Sequence, residues 1–153
     1  MSSSHKVEFV EADCGHCRRS FPIPLLGDQS YGLFVLYGER GGVFGYLSAF
    51  ECPSFEDIRA RLLAIAGLKK FMREESTHFQ EVMASCADEI DGQLLGLIPV
   101  CPYCRSGSII YGESRPLNVR EIRGVTFTRF QSLSDAAKTQ KLTELWNHGP
   151  QNP

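Results

Sequence analysis

The residues best suited to chemistry are four cysteines in two matched pairs, Cys14-Gly15-His16-Cys17 and Cys101-Pro102-Tyr103-Cys104. Two intervening residues let one tight turn present both sulfurs, as a thiophilic metal or a dithiol redox couple requires. Gly15 frees the first turn, and Pro102 pre-sets the backbone of the second. Together the pairs supply four thiolates, the full tetrahedral shell of Zn2+. Such a shell leaves no position for water or substrate. Cys14, Cys17, Cys101 and Cys104 are therefore expected to hold a structural zinc ion, not a catalytic one. Iron accepts the same four-thiolate shell. Metal binding of this kind contributes on the order of 10 kcal/mol to folding.

Each pair is framed by strand-like segments, and the arrangement resembles a zinc ribbon, in which two knuckles, each associated with a β-hairpin, face one another across the metal. The resemblance covers about residues 6–26 and 96–125. The common knuckle has glycine just after its second cysteine, whereas Arg18 and Arg105 stand there in this chain. The segment between the knuckles is also far longer than in simple ribbons. Dithiol chemistry is the competing reading. Cys-Gly-His-Cys resembles the active motif of protein disulfide isomerases, and Cys-Pro-Tyr-Cys that of glutaredoxins. Those folds set the first cysteine at a helix N-terminus. Here Pro22 and Pro24 follow the first pair, and Gly107 and β-branched Ile109-Ile110 follow the second, so neither pair opens a helix.

Other candidates have simpler explanations. His16 lies inside the first knuckle, where the side chain usually points away from the metal. Cys52 and Cys86 lie at or near apolar faces and fit the small buried role common for cysteine. Glu74, Glu75 and His78 lack H-E-x-x-H spacing and suit the charged face of a helix. Asp88 and Asp91 fit cap and turn positions. Ser106-Gly107-Ser108 is no phosphate loop, and no nucleophile elbow occurs. Gly38, Gly41, Gly42 and Gly45 are explained by a hairpin. Tyr31, Phe34, Tyr37, Phe44, Tyr46 and Phe50 crowd that hairpin, as a sheet packed on the core or as an exposed patch.

The elements that must position the cysteines follow from pattern. Lys6–Val10 reads as a strand, Ser20–Leu25 as extended chain, and Tyr31–Tyr37 with Val43–Phe50 as a hairpin turning at Glu39-Arg40-Gly41-Gly42. Ser54 can cap a helix carrying Ile58, Leu62 and Ile65, which Gly67 breaks or ends. A second helix is expected from about Lys69 to Ile90, with the stripe Phe79, Val82, Met83, Cys86 and Ile90, ended by Asp91-Gly92. Ser108–Tyr111 reads as a short strand, and Val119–Phe130 contains another, with Val125–Phe130 rich in β-formers. A last helix over about Asp135–Asn147, capped by Ser134 or Ser132, buries Leu142, Leu145 and Trp146. The class is α+β, a single domain over 1–153. Within it, 6–26 and 96–125 form the ribbon, 27–95 an inserted hairpin and two helices, and 126–153 a C-terminal strand and helix.

The chain has 153 residues, 42% apolar and 22% charged, enough to build a core without a metal. Its net charge of −2 lacks the basic excess typical of nucleic-acid binders. A local patch of Arg18, Arg19 and Arg105, with Arg115, Arg120, Arg123 and Arg129, keeps a nucleic-acid-binding ribbon as an alternative. The start lacks an apolar signal region, and no run reaches the roughly 20 apolar residues of a membrane span. A cytoplasmic protein is expected, where six cysteines do not build a disulfide framework. The leading expectation is a non-enzymatic, zinc-stapled module that binds another protein. Small proteins of that class are often adaptors, or immunity or antitoxin proteins with a toxin as partner. A thiol-disulfide oxidoreductase is the third expectation.

Overall fold

The computed structural model describes residues 4–26, 32–67 and 75–148. The chain is α+β and divides into two compact units. The first comprises residues 1–48 and 89–125 and carries all the strands; the second comprises 49–88 and 126–153 and carries the helices.

The first unit is a six-stranded sheet of β1 (Ser4–Cys14), β2 (Ser20–Pro24), β3 (Leu33–Gly38), β4 (Phe44–Ser48), β5 (Leu95–Gly96) and β6 (Ile109–Gly124), in the order β2-β1-β6-β4-β3-β5. Neighbours are antiparallel except β4 and β6, which pair in parallel at Gly45–Arg123 and Tyr46–Gly124. The expected hairpin forms as β3 and β4, with Leu33 opposite Ser48 and Tyr37 opposite Phe44. Its aromatic residues Phe34, Tyr37, Phe44 and Tyr46 are partly buried, whereas Phe50 is 71% exposed. Phe44 meets Phe9 edge-on at 5.5 Å and Tyr37 at 6.0 Å, and burial pushes the Tyr37 hydroxyl up to about 12. Tyr31 lies outside the described residues.

Two features of this unit depart from the pattern read in the sequence. The short strand expected at Ser108–Tyr111 and the strand expected within Val119–Phe130 are joined in one continuous β6 that runs through Pro116. Register shifts against β1 between Phe9 and Val10 and between Glu11 and Asp13 absorb the irregularity, and Pro116 sits opposite Val10 at one of them. Proline is tolerated in a sheet at such bulges. Asp91-Gly92 does not end a helix, since the preceding helix stops at Ser85. Both residues have positive φ (50° and 76°), and Ile90 and Gln93 exchange two backbone hydrogen bonds across them. This is the tight two-residue turn that Asp-Gly favours.

The second unit contains α1 (Pro53–Ala66), a π-helical turn Glu75–Phe79 running into α2 (Gln80–Ser85), α3 (Thr128–Gln131) and α4 (Asp135–His148). Ser54 does not cap α1. Cys52 occupies the cap position and Pro53 the first turn, where its missing N–H costs nothing. Gly67, at φ 79°, closes that helix, and Ser134 caps α4 by accepting the Ala137 N–H at 3.2 Å. The helix expected over Lys69–Ile90 ends at Ser85, and its beginning lies outside the described residues. Ile58, Leu62, Val82, Met83, Phe130, Leu142 and Trp146 form the unit's interior.

The strand expected within Val119–Phe130 forms in its first half, as the end of β6, but not over Val125–Phe130. β6 ends at Gly124, and Thr128–Gln131 is a helical turn. The cause is Asp88. Its carboxylate accepts the Thr126 hydroxyl at 2.6 Å and the N–H groups of Thr128 and Arg129 at 2.7 and 3.0 Å. Burial alone would raise this carboxyl, but those three donors outweigh it and hold the group below its ordinary 3.8. A cap of this kind contributes about 1–2 kcal/mol. Asp88→Ala is therefore expected to destabilise the protein by about that amount in denaturant melts at neutral pH. Because the folded pKa is depressed, the difference from wild type should be complete above the ordinary carboxylate range. It should shrink as pH falls through the folded value.

Candidate metal centre

The two cysteine pairs meet in the first unit. Cys14 is the last residue of β1, so its knuckle sits at the tip of the β1–β2 hairpin. Beside that knuckle, Asp13 accepts hydrogen bonds from Ser20 at 2.6 Å and Arg115 at 2.8 Å, tying β1 to β2 and β6. Cys101 and Cys104 lie between β5 and β6, strands that pair with β3 and β1 respectively. The second knuckle thus joins two different strand pairs and does not cap a hairpin of its own.

The knuckles share one backbone design. In the first, the Cys14 N–H donates to the Arg19 carbonyl at 2.9 Å and the Arg18 N–H to the Cys14 carbonyl at 3.0 Å. In the second, the Cys101 N–H donates to the Ser106 carbonyl and the Arg105 N–H to the Cys101 carbonyl, both at 2.8 Å. N–H groups also face the sulfurs. Those of His16 and Cys17 reach Cys14 Sγ at 3.3 and 3.4 Å, and that of Tyr103 reaches Cys101 Sγ at 3.4 Å. Each turn closes through a left-handed residue, Arg18 at φ 68° and Arg105 at φ 64°. These are the positions where glycine is easiest, and an L-residue there costs roughly 1–2 kcal/mol.

All four sulfurs lie within 4.8 Å of one another. Contacts of 3.5 Å (Cys14–Cys104) and 3.7 Å (Cys17–Cys101) run across the knuckles. A tetrahedron with metal–sulfur bonds of about 2.3 Å has sulfur–sulfur edges of about 3.8 Å, so this donor set fits one Zn2+-sized ion. Among the described residues no other group of three or more Cys, His, Asp or Glu side chains converges in this way. His16 is exposed and outside the set.

Electrostatics favour a cation between the sulfurs. The Cys17 N–H leads the interactions that lower the Cys14 thiol to about 6. At Cys104 the Ser106 N–H pulls the other way, yet desolvation and the sulfurs of Cys14, Cys17 and Cys101 push the thiol up to about 11. The first thiolate of the cluster forms readily and the last resists unless positive charge accompanies it.

The surrounding fold fixes the two turns. The Gly15 N–H donates to the Ser108 carbonyl at 2.7 Å, joining the first knuckle to the start of β6. Gly41, at φ 81° in the β3–β4 turn, lies so close to the second knuckle that an added Cβ would fall 2.8 Å from Pro102 Cα and from the Val100 carbonyl. Buried Gln93 holds that turn, accepting the Arg40 N–H at 2.9 Å and donating to the Gly41 carbonyl at 3.2 Å. Neither role is visible in the sequence, where Gly41 reads only as a turn residue and Gln93 carries no signal.

The other candidates serve structure. His78 bonds the Trp146 carbonyl through Nε2 at 2.8 Å and packs on that indole at 4.4 Å. Glu74 and the Glu75 side chain lie outside the described residues. Cys86 is buried in the helical unit, where burial pushes its thiol up to about 12, and Cys52 is half-buried. No helix begins at Cys14 or Cys101, so the dithiol geometry is not built here. Cys14 is also fully buried, whereas an exchanging thiolate needs access.

No protein-family model, curated protein or solved structure matches the chain.

Removing a ligand should separate the metal set from the other cysteines. Cys14→Ser or Cys101→Ser is expected to abolish bound metal and unfold the first unit, whereas Cys86→Ser retains it, as read by elemental analysis of the purified variants. Equal loss in all three would show that the ligands are misassigned.

Proposed function

We propose that Cys14, Cys17, Cys101 and Cys104 hold one structural Zn2+ and that the protein is a non-enzymatic module for binding another protein. The carrying observation is the four-sulfur cluster, whose spacing matches a closed tetrahedral shell. Four thiolates leave no position for a reacting ligand, so the ion's work is to staple two segments remote in sequence. Zinc–ribbon geometry is the natural form of that staple. A reducing, cytoplasmic setting keeps the thiols available.

Protein recognition is supported by surface chemistry. β6 exposes Ile110, Tyr111, Leu117 and Val119, at 47%, 41%, 44% and 58% of their full area. Large apolar side chains grouped on one strand are characteristic of an interaction surface. The arginines of β6 that suggested a nucleic-acid track have partners of their own. Arg115 pairs with Asp13 and Glu11, Arg123 with Asp91, and Arg120 lies over the Phe9 ring. An adaptor, or an immunity or antitoxin protein that occupies a toxin, is the form such a module takes. Among the described residues no helix is long and apolar enough to cross a membrane.

Native mass spectrometry on tagged protein drawn gently from its host, without chelator, tests this. The expected result is one zinc ion and one stoichiometric protein companion. Iron in place of zinc would change the cofactor only. Co-purifying nucleic acid, or turnover of a substrate without any protein companion, would contradict the binding-module reading.

A further inference from the structure

We propose that the outer faces of the two knuckles form a cationic docking site for a short acidic segment of a partner protein, gripped by Arg18, Arg19 and Arg105. This rests on the binding-module reading above and adds the chemistry of the partner.

Two independent observations converge on these residues. The first is backbone conformation. Arg18 and Arg105 occupy equivalent left-handed positions in the two knuckles, where glycine would relieve strain in both. A strained conformation held by a long cationic side chain, twice in the same motif, is better explained by what the side chain does than by folding. The second is charge. All three arginines are exposed, and among the described residues none pairs with a carboxylate. Of the exposed arginines elsewhere on the sheet, Arg115 and Arg123 have acidic partners, and Arg120 is held by Asn118 and the Phe9 ring. Three unpaired guanidinium groups on a chain of net charge −2 form a local excess against the overall balance.

The knuckles are also joined at this face. The Arg19 guanidinium lies 4.9 Å from the centre of the Tyr103 ring, so an arginine of the first knuckle rests on an aromatic of the second. Tyr103 is still 55% exposed, and Ile98, just before the second knuckle, is 69% exposed. Guanidinium forks bind carboxylates in pairs of parallel hydrogen bonds, and the neighbouring Tyr103 and Ile98 give apolar contact.

A carboxylate-bearing segment fits better than a polyphosphate chain. Nucleic-acid affinity grows with the number of phosphates neutralised along a track. Beyond the knuckle tips, Arg115 is already neutralised by Glu11 and Asp13 of β1 and Arg123 by Asp91, so no continuous cationic track leads away from them. A short acidic peptide needs no such track.

The test uses the full-length, zinc-loaded chain and fluorescence anisotropy with a labelled glutamate-rich peptide, beside a single-stranded oligonucleotide. Wild type should bind the peptide in a salt-sensitive way. The double variant R18G/R105G should bind at least about tenfold more weakly. It should keep its zinc and melt at the same or a higher temperature, because glycine suits both turns. Stability and binding thus move in opposite directions, which a purely structural role for the arginines does not produce. Undiminished peptide binding by the variant would overturn the proposal, as would tighter binding of the oligonucleotide than of the peptide. Wild type that holds zinc but binds no acidic peptide would overturn it while leaving the metal staple standing. Should R18G/R105G lose zinc, R19A decides: weaker peptide binding upholds the proposal and unchanged binding overturns it.

Discussion

Four thiol groups held within 4.8 Å of one another are the constraint on which the first unit depends. Brought together without a cation they oppose one another, because each new thiolate makes the next harder to form. The contrast between Cys14, lowered to about 6, and Cys104, raised to about 11, expresses that opposition. A divalent ion at the centre reverses its sign and turns the repulsive cluster into the strongest crosslink available to a chain without disulfides. The cluster also belongs to the apolar interior. Cys14 and Cys101 are fully buried and pack with Val10, Ala12, Phe21 and Ile23, so the metal shell and the sheet share one core.

That shared core explains how segments far apart in the chain come to be adjacent. Closing a long intervening segment costs conformational entropy that grows slowly with length, so a long insertion between knuckles is tolerable if its ends are fixed. β1 and β6 fix them by pairing from Ser4–Arg123 to Cys14–Ile109. The β3–β4 turn then buttresses the second knuckle through Gly41 and Gln93. The hairpin between the knuckles in sequence is therefore part of the sheet that positions them, while the helices form a compact unit of their own.

The four-cysteine cluster was legible in the sequence because C-x-x-C spacing is local: a four-residue turn decides where both sulfurs point. The β3–β4 hairpin, α1 and α4 were legible for the same reason, through short-range periodicity and, for α4, the Ser134 cap. What stayed hidden depends on residues remote in sequence. Val125–Phe130 has strand-forming residues, but Asp88 caps its N–H groups and winds it into a helical turn. Ser108–Tyr111 and Val119–Phe130 read as separate strands, but bulges against β1 let one β6 run through Pro116 between them. Asp91-Gly92 reads as a helix stop, but the helix ends earlier, at Ser85, and the pair turns the chain between Ile90 and Gln93. The arginines after each second cysteine were visible as departures from the usual glycine. Their left-handed backbone, which gives the departure its meaning, was not.

X-ray absorption at the metal edge of the purified protein tests the central claim most directly, because it reads the ligand atoms themselves. A closed four-cysteine site predicts four sulfur scatterers at about 2.3 Å and no nitrogen or oxygen in the first shell. A shell containing nitrogen or oxygen, or fewer than four sulfurs, would contradict the closed structural site and reopen the question of a reacting ligand at the metal.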